Sequence, residues 1–372
     1  MIARVSLIKC SSYDPSLVVS SVKKAVDLIG GIEKFIRPHS KVLLKPNLLM
    51  AKDPNDGITT HPEVVRGVAR LLKQIGCRLY LGDGPSVWGN QIENVDDVYE
   101  YTGMSKLCRE EGIELVRFDK KVWRRMIPLT EWVEFCDHVV NIPKFKTHSF
   151  TLLSGAIKNL FGLVPGIHKT TIHKNHFEIQ DFSRILVDIY QEVRPSLTVV
   201  DAIRAMEGDG PATSGKGRDV GLIMASFDCV ALDSLMSLIM GVKPYHVLTT
   251  KEASHRDLGN PLIGSMAISG ERLEDVIAKP FLLPSSSLQN KIPFGILRMI
   301  RNFIKYYPIS LPAKCIKCGA CLKACPKKCI STKGSRLVFN YRDCIACFCC
   351  QEVCPVAAIE IKRSALAKLI GL

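Results

Sequence analysis

The chain has 372 residues, 47% hydrophobic and 23% charged, a balance that suits a soluble protein with one large and one smaller domain. It excludes a disordered chain, a collagen-like repeat and a coiled coil, and no apolar run approaches the roughly 20 residues of a spanning helix. The net charge of +14 is lopsided, because residues 286–372 hold 15 of the 50 Lys and Arg but 3 of the 36 Asp and Glu.

In chain order, MIARVSLIKC reads as a basic strand without the apolar core and cleavage site of a signal peptide, so a cytoplasmic protein is expected. Strand-like runs follow at Val5–Lys9, Lys41–Leu44, Arg78–Gly82, Glu114–Phe118, His138–Ile142, Leu197–Asp201, Val220–Ala225 and Met266–Ser269. Helical periods lie between several of them. Pro15–Ile29 has Asp14 as its cap, Pro62–Ile75 has Thr59 or Thr60, and Phe177–Val193 and Cys229–Met240 keep the same rhythm. The alternation predicts an α/β fold, a largely parallel sheet with flanking helices, with its chemistry on loops at the carboxyl ends of strands.

Two glycine motifs are decoys. Gly210-x4-Gly215-Lys216 lacks the Ser or Thr of a phosphate loop, since Gly217 follows, and a strand pattern comes next where a helix is needed. Gly208-x-Gly210 has Thr213 where a dinucleotide fingerprint needs its third glycine. Glu207–Gly217 is therefore read as a flexible turn. Pro280–Lys291 has the Pro and Ser content of a linker, and Phe294–Tyr307 carries Arg298, Arg301 and Lys305 opposite an apolar face. Within a linker over 286–312, that amphipathic basic stretch is read as a helix docking a small C-terminal domain onto the large one, with a membrane-surface helix as the alternative.

Ten of the fifteen cysteines fall in the last 58 residues, in a cytoplasm where disulfides are not expected. One run is Cys315-x2-Cys318-x2-Cys321-x3-Cys325-Pro326, the other Cys344-x2-Cys347-x2-Cys350-x3-Cys354-Pro355. This is the two-cluster bacterial ferredoxin spacing, in which the fourth thiolate of each run reaches the neighbouring cluster. It assigns Cys315, Cys318, Cys321 and Cys354 to one 4Fe-4S cluster, and Cys344, Cys347, Cys350 and Cys325 to a second. A zinc ribbon needs two separated pairs instead. Cys329 and Cys349 fall outside the spacing and are read as packing residues, as are Cys10, Cys77, Cys108, Cys136 and Cys229. The expected C-terminal domain, 313–362 before a short tail, is a small ferredoxin-like α+β unit. Two clusters bring roughly −4 of charge, which offsets part of the local basic surplus. The remainder suits an acidic redox partner protein or, less well, peripheral membrane contact; without a groove-reading motif, no nucleic acid is expected.

In the large domain, over 1–285, Lys, Asn and His gather at strand ends: Lys45-Pro46-Asn47, Thr60-His61-Pro62, Gly82-Asp83, Lys144-Phe145-Lys146-Thr147-His148, Lys158-Asn159 and His168-Lys169. Such groups at sheet ends complement a small anionic substrate. His168, His173 and His176 lack the carboxylate that would complete a metal set.

KPNLL (45–49), TTHPEVV (59–65), GDGP (82–85), PKFKTH (143–148), GAIKNLFG (155–162), VVDAI (199–203), EGDGP (207–211) and SFDCVALD (226–233) resemble the family of domain of unknown function 362. Some members of that family carry a C-terminal pair of 4Fe-4S motifs. The resemblance implies that fold and module but no established chemistry. The favoured expectation is an iron–sulfur oxidoreductase. Electrons would pass through two clusters to an anion held by Lys45, Asn47, Lys144, Lys146, Lys158 and Asn159, with His61 or His148 supplying protons at neutral pH. The alternatives are an electron-transfer or assembly protein whose large domain only docks, and a non-redox enzyme with structural or sensing clusters.

Overall fold

The computed structural model describes residues 2–85, 94–277, 279–287, 306–334 and 336–364. Its strands are β1 (Arg4–Lys9), β2 (Lys41–Pro46), β3 (Arg78–Leu81), β4 (Glu114–Leu115), β5 (Lys121–Arg124), β6 (Ile127–Thr130), β7 (His138–Ile142), β8 (Lys144–His148), β9 (Leu152–Ser154), β10 (Leu197–Gly208), β11 (Gly215–Ser226) and β12 (Ala267–Gly270). Ten form one sheet in the order β12-β1-β11-β10-β7-β2-β3-β4, with β8 paired to β10 and β9 to β8. The β1–β12, β7–β10, β2–β7, β2–β3, β3–β4 and β8–β10 pairs are parallel. Strand β11 runs antiparallel to both β1 and β10. The fold is α/β with a mostly parallel sheet.

Alternation along the strands divides the core between two faces. Val42, Leu44 and Val199 pack with α1 (Pro15–Ile29) and α2 (Pro62–Gln74), while Leu43 and Val200 pack with helices Ile179–Val193 and Cys229–Ile239. Asp14 caps α1, its carboxylate accepting the Leu17 N–H at 2.9 Å. The α2 cap is His61 rather than Thr59 or Thr60: its Nδ1 accepts the Glu63 N–H at 3.2 Å. The Thr60 hydroxyl is already engaged, donating to the Ile142 carbonyl at 2.7 Å and accepting the Asn47 N–H at 2.9 Å.

Two segments differ from the sequence reading. Lys144–His148, read as a polar group at the end of the strand His138–Ile142, is itself strand β8, buried along its whole length. Its alternation places Phe145 against Phe281, at 4.9 Å between ring centroids. Lys144, Lys146 and His148 take the opposite side, so a buried strand face made of polar side chains conceals the usual apolar pattern. The glycine-rich stretch is the tip of the long β10–β11 hairpin rather than a free turn, and Glu207 and Gly208 still pair with Lys216 and Gly215.

Toward the C-terminus, β13 (Tyr306–Ser310) pairs with β16 (Ile359–Arg363), and β14 (Ile330–Lys333) with β15 (Arg336–Phe339). Of the proposed amphipathic helix, residues 294–305 lie outside the described residues. Tyr306 and Tyr307 open a strand instead. The two cysteine runs repeat one backbone path: φ is positive at Lys317, Gly319 and Lys328 in the first and at Ala346, Phe348 and Ala357 in the second. Each run carries one short helix, Ala320–Ala324 or Cys349–Glu352.

Candidate functional site

The carboxyl ends of β2 and β3, strand β8 and the end of helix Ala156–Asn159 build the polar centre of the large domain. That helix is set in place by Asp233, whose carboxylate accepts the Ala156 and Ile157 N–H groups at 2.6 and 3.2 Å. Lys45 is fully buried and pairs with Asp83 at 2.7 Å. Burial pulls its amine below the usual lysine range, and Asp83 works against that shift. A Cβ at Gly162 would collide with both members of this pair, so the backbone there must be glycine to approach so closely. Asn159 Oδ1 accepts from Lys45 at 3.4 Å and from Asn47 Nδ2 at 3.0 Å, while its own Nδ2 donates to Asn141 at 2.8 Å. Lys146 Nζ donates to Asn47 Oδ1 and to the Ile58 carbonyl, both at 2.7 Å.

Of the eight polar residues named from the sequence, the structure joins Lys45, Asn47, Lys146 and Asn159 in one hydrogen-bonded network. Lys158 and His148 lie beside it. Lys144 and His61 are held apart in a neighbouring network. Lys144 pairs with Asp201 at 2.9 Å and donates to the Tyr13 hydroxyl at 2.7 Å, and the His61 ring stacks on Tyr13 at 3.7 Å. Asp201 also accepts from the His61 N–H and from the Tyr13 hydroxyl, both at 2.9 Å.

The expectation that His61 or His148 supplies protons at neutral pH is corrected by their surroundings. Burial holds the His61 imidazole down to about 4. Burial, with Lys158, Lys146 and His173 adding to it, puts His148 well below the usual histidine value. Both rings are neutral at pH 7. His148 Nδ1 accepts the Phe150 N–H at 3.0 Å, which places the ring proton on Nε2.

That Nε2 faces Glu352 Oε1 at 3.4 Å, across the contact with the C-terminal module. Glu352 is buried, and burial raises its carboxyl above the usual range while Lys158 and Lys146 oppose the rise. Three further contacts join the two parts. The Thr213 hydroxyl donates to the Cys354 carbonyl at 2.5 Å, Gln351 Nε2 to the Asp209 carbonyl at 3.5 Å, and Arg363 Nε to the Ser285 carbonyl at 3.2 Å. Ser285 is pinned in turn to Asp209 by its N–H at 2.6 Å and its hydroxyl at 2.9 Å. The start of the expected linker thus lies against the hairpin tip, and the tip is a docking surface.

Asp83 and Lys169, noted at strand ends without a role, His173, weighed only as a metal ligand, and Glu352, not singled out, also belong to this centre. Lys169 donates to the Gly84 carbonyl, and burial brings its amine down to about 7, with Asp83 opposing and Lys45 and Lys158 reinforcing. His173 stacks on Phe182 at 4.4 Å, while His168 lies by Lys121 at 2.9 Å, away from it. Glu352 had a signal available: aligning the two cysteine runs sets it against Lys323, a mismatch that cluster spacing does not explain.

The cysteines surround two cavities. Cys315, Cys318, Cys321 and Cys354 line one of about 260 Å³. Cys325, Cys344, Cys347 and Cys350 line a tighter one. In both, the trailing cysteine of one run joins three from the other. Backbone N–H groups point at both trailing thiols, Cys329 N–H to Cys325 Sγ at 3.3 Å and Ala358 N–H to Cys354 Sγ at 3.1 Å. These thiols and donors fit 4Fe-4S groups. Cys329 does more than pack, because it borders the second cavity with its sulfur 3.3 Å from that of Cys325. Cys349, by contrast, is a buried packing thiol beside Ala324 and Cys347.

An α/β domain whose buried lysines abut a two-run cysteine module defines the class: an iron–sulfur protein with an appended dicluster domain. The model of the domain of unknown function DUF362 matches residues 42–237, and that of a 4Fe-4S dicluster domain matches 314–358. The chain belongs to the DUF362 family. It is 31% identical over 318 residues to the thylakoid-associated protein sll1697 of Synechocystis, covering 83% of this chain and 96% of that one. Among solved structures, the lactate racemase apoprotein of Thermoanaerobacterium thermosaccharolyticum aligns at 11% identity and a TM-score of 0.39, over 60% of this chain and 54% of that chain. Among the described residues no helix is long and apolar enough to cross a membrane.

Proposed function

We propose that the protein is an iron–sulfur oxidoreductase that reduces a small anionic substrate held between its two parts. The observation that carries this reading is the contact itself: the helix bearing Cys349 and Cys350 ends in Glu352, which faces His148 among the buried lysines. Cys315, Cys318, Cys321 and Cys354 would hold one 4Fe-4S cluster and Cys325, Cys344, Cys347 and Cys350 a second, and such clusters would supply single electrons. Lys146, Lys158 and Lys169 balance the substrate's negative charge in a site with little water to screen it. His148 offers a fixed Nε2–H donor to a substrate oxygen, and Lys169, near pH 7, is the proton source. We place this activity in the cytoplasm, where free thiols persist.

A second reading, in which the large domain only docks a redox module, is favoured by Lys45 and Lys146 already being engaged by partners within the domain. Anaerobic purification with iron and sulfide counts, followed by mass spectrometry of retained small molecules, separates the two. The oxidoreductase reading expects a retained anion that is lost in Lys146→Ala and His148→Ala while iron and sulfide stay constant. No retained anion in any form, with clusters intact, supports the docking reading.

A further inference from the structure

The two halves of the cysteine module are copies of one chain path, so each serves as a control for the other. What a cluster requires occurs twice: four cysteines, a following proline and three positive-φ residues. What occurs once serves something else. At the loop between the first two cysteines, the second half has Ile345 and Ala346, both partly covered, before the buried Cys347 and Phe348. The first half has Ile316, 61% exposed, then Lys317 and Cys318, both exposed. Ala346 holds the same backbone turn as Lys317, so the lysine charge is not needed for the fold of the loop.

Around the first cavity these residues compose a surface with a definite anatomy. Ile316 and Val356, the latter 36% exposed, form an apolar centre at the mouth. Lys317 and Arg336 border the same cavity, and among the described residues no carboxylate lines it. Over the described part of the module, 306–364, the acids are Asp343, Glu360 and the buried Glu352. An apolar centre with a charged rim is the pattern of a transient protein interface, and charge of one sign selects a partner of the other.

We propose that this face is where an acidic electron-carrier protein docks and delivers electrons to the first cluster site. The inference rests on the oxidoreductase reading for the direction of flow. In each encounter the carrier is oxidised by one electron and the module reduced by one, with no bond made or broken. Electrons then leave through the second half, whose helix meets the large domain.

The test is stopped-flow reduction of the anaerobically reconstituted full-length protein by a reduced plant-type [2Fe-2S] ferredoxin, an acidic protein, with dithionite as the small-molecule control. Lys317→Ala combined with Arg336→Gln should slow reduction by the ferredoxin by about tenfold at low salt and flatten its salt dependence. Lys362→Gln, which removes a charge from β16 away from the cavity, should do neither. Equal ferredoxin rates in the double variant and the parent would overturn the proposal. So would binding of the parent, and not the double variant, to vesicles of anionic lipid with no charge effect on the ferredoxin rate. Iron and sulfide counts with full dithionite bleaching show that the clusters are present, and their absence would count against the oxidoreductase reading rather than the docking face.

Discussion

The two cysteine runs share spacing and backbone path, yet one opens to solvent and the other is buried against the large domain. The difference lies in a few side chains. Gly319, Ala320, Leu322 and Lys323 of the first run correspond to Phe348, Cys349, Gln351 and Glu352 of the second. The second set is buried, and it meets Asp209 and His148. A duplicated unit thus acquires two faces without altering its metal-binding frame: substitutions on one copy's helix create an interface, while the other copy keeps Lys317 and Cys318 exposed.

The largest effect should come from the thiols. Cys318→Ala should lower iron and sulfide by about half and leave the module docked. Cys350→Ala should produce the same loss and also release the module, seen as protease cleavage near residue 285. If both variants release it equally, the two halves are not functionally distinct. Next come the paired positions 323 and 352. Glu352→Ala removes a buried carboxylate facing His148 and should cost about 2–3 kcal/mol in denaturant unfolding, whereas Lys323→Ala should be nearly silent.

A third probe is pH. Lys169, which releases its proton near 7, is depressed by burial, so an anion bound beside it favours the protonated form. Affinity of the reconstituted protein for sulfate, whose charge is constant over this range, should therefore fall by up to about tenfold per pH unit above 7 and level off below it. Equilibrium dialysis between pH 6 and 9 measures this, and a flat profile would remove Lys169 from the site. The smallest effect belongs to Thr213→Val. It deletes the donor to the Cys354 carbonyl and should cost about 1 kcal/mol, read as a lower unfolding midpoint of the loaded protein.

Much of this arrangement was legible in the residues, and what was missed has a physical reason. The α/β alternation and the strand-end lysines follow from periodicity and motif position, because local pattern records which side faces the core. The grouping of Cys354 with the first run's thiols was legible because spacing limits which thiols reach one centre. Strand β8 was hidden because burial of Lys144, Lys146 and His148 is underwritten by partners distant in sequence, such as Asp201 and Asn47. Their separations of 57 and 99 residues leave no local trace. The role of the hairpin tip was hidden for the same reason, as Thr213 lies 141 residues from Cys354.

Cys354 belongs to the docked run by sequence but lines the solvent-open cavity, and its carbonyl is held by the hairpin of the large domain. One residue therefore ties the outermost cavity to the main body: its side chain faces the first while its backbone is anchored to the second.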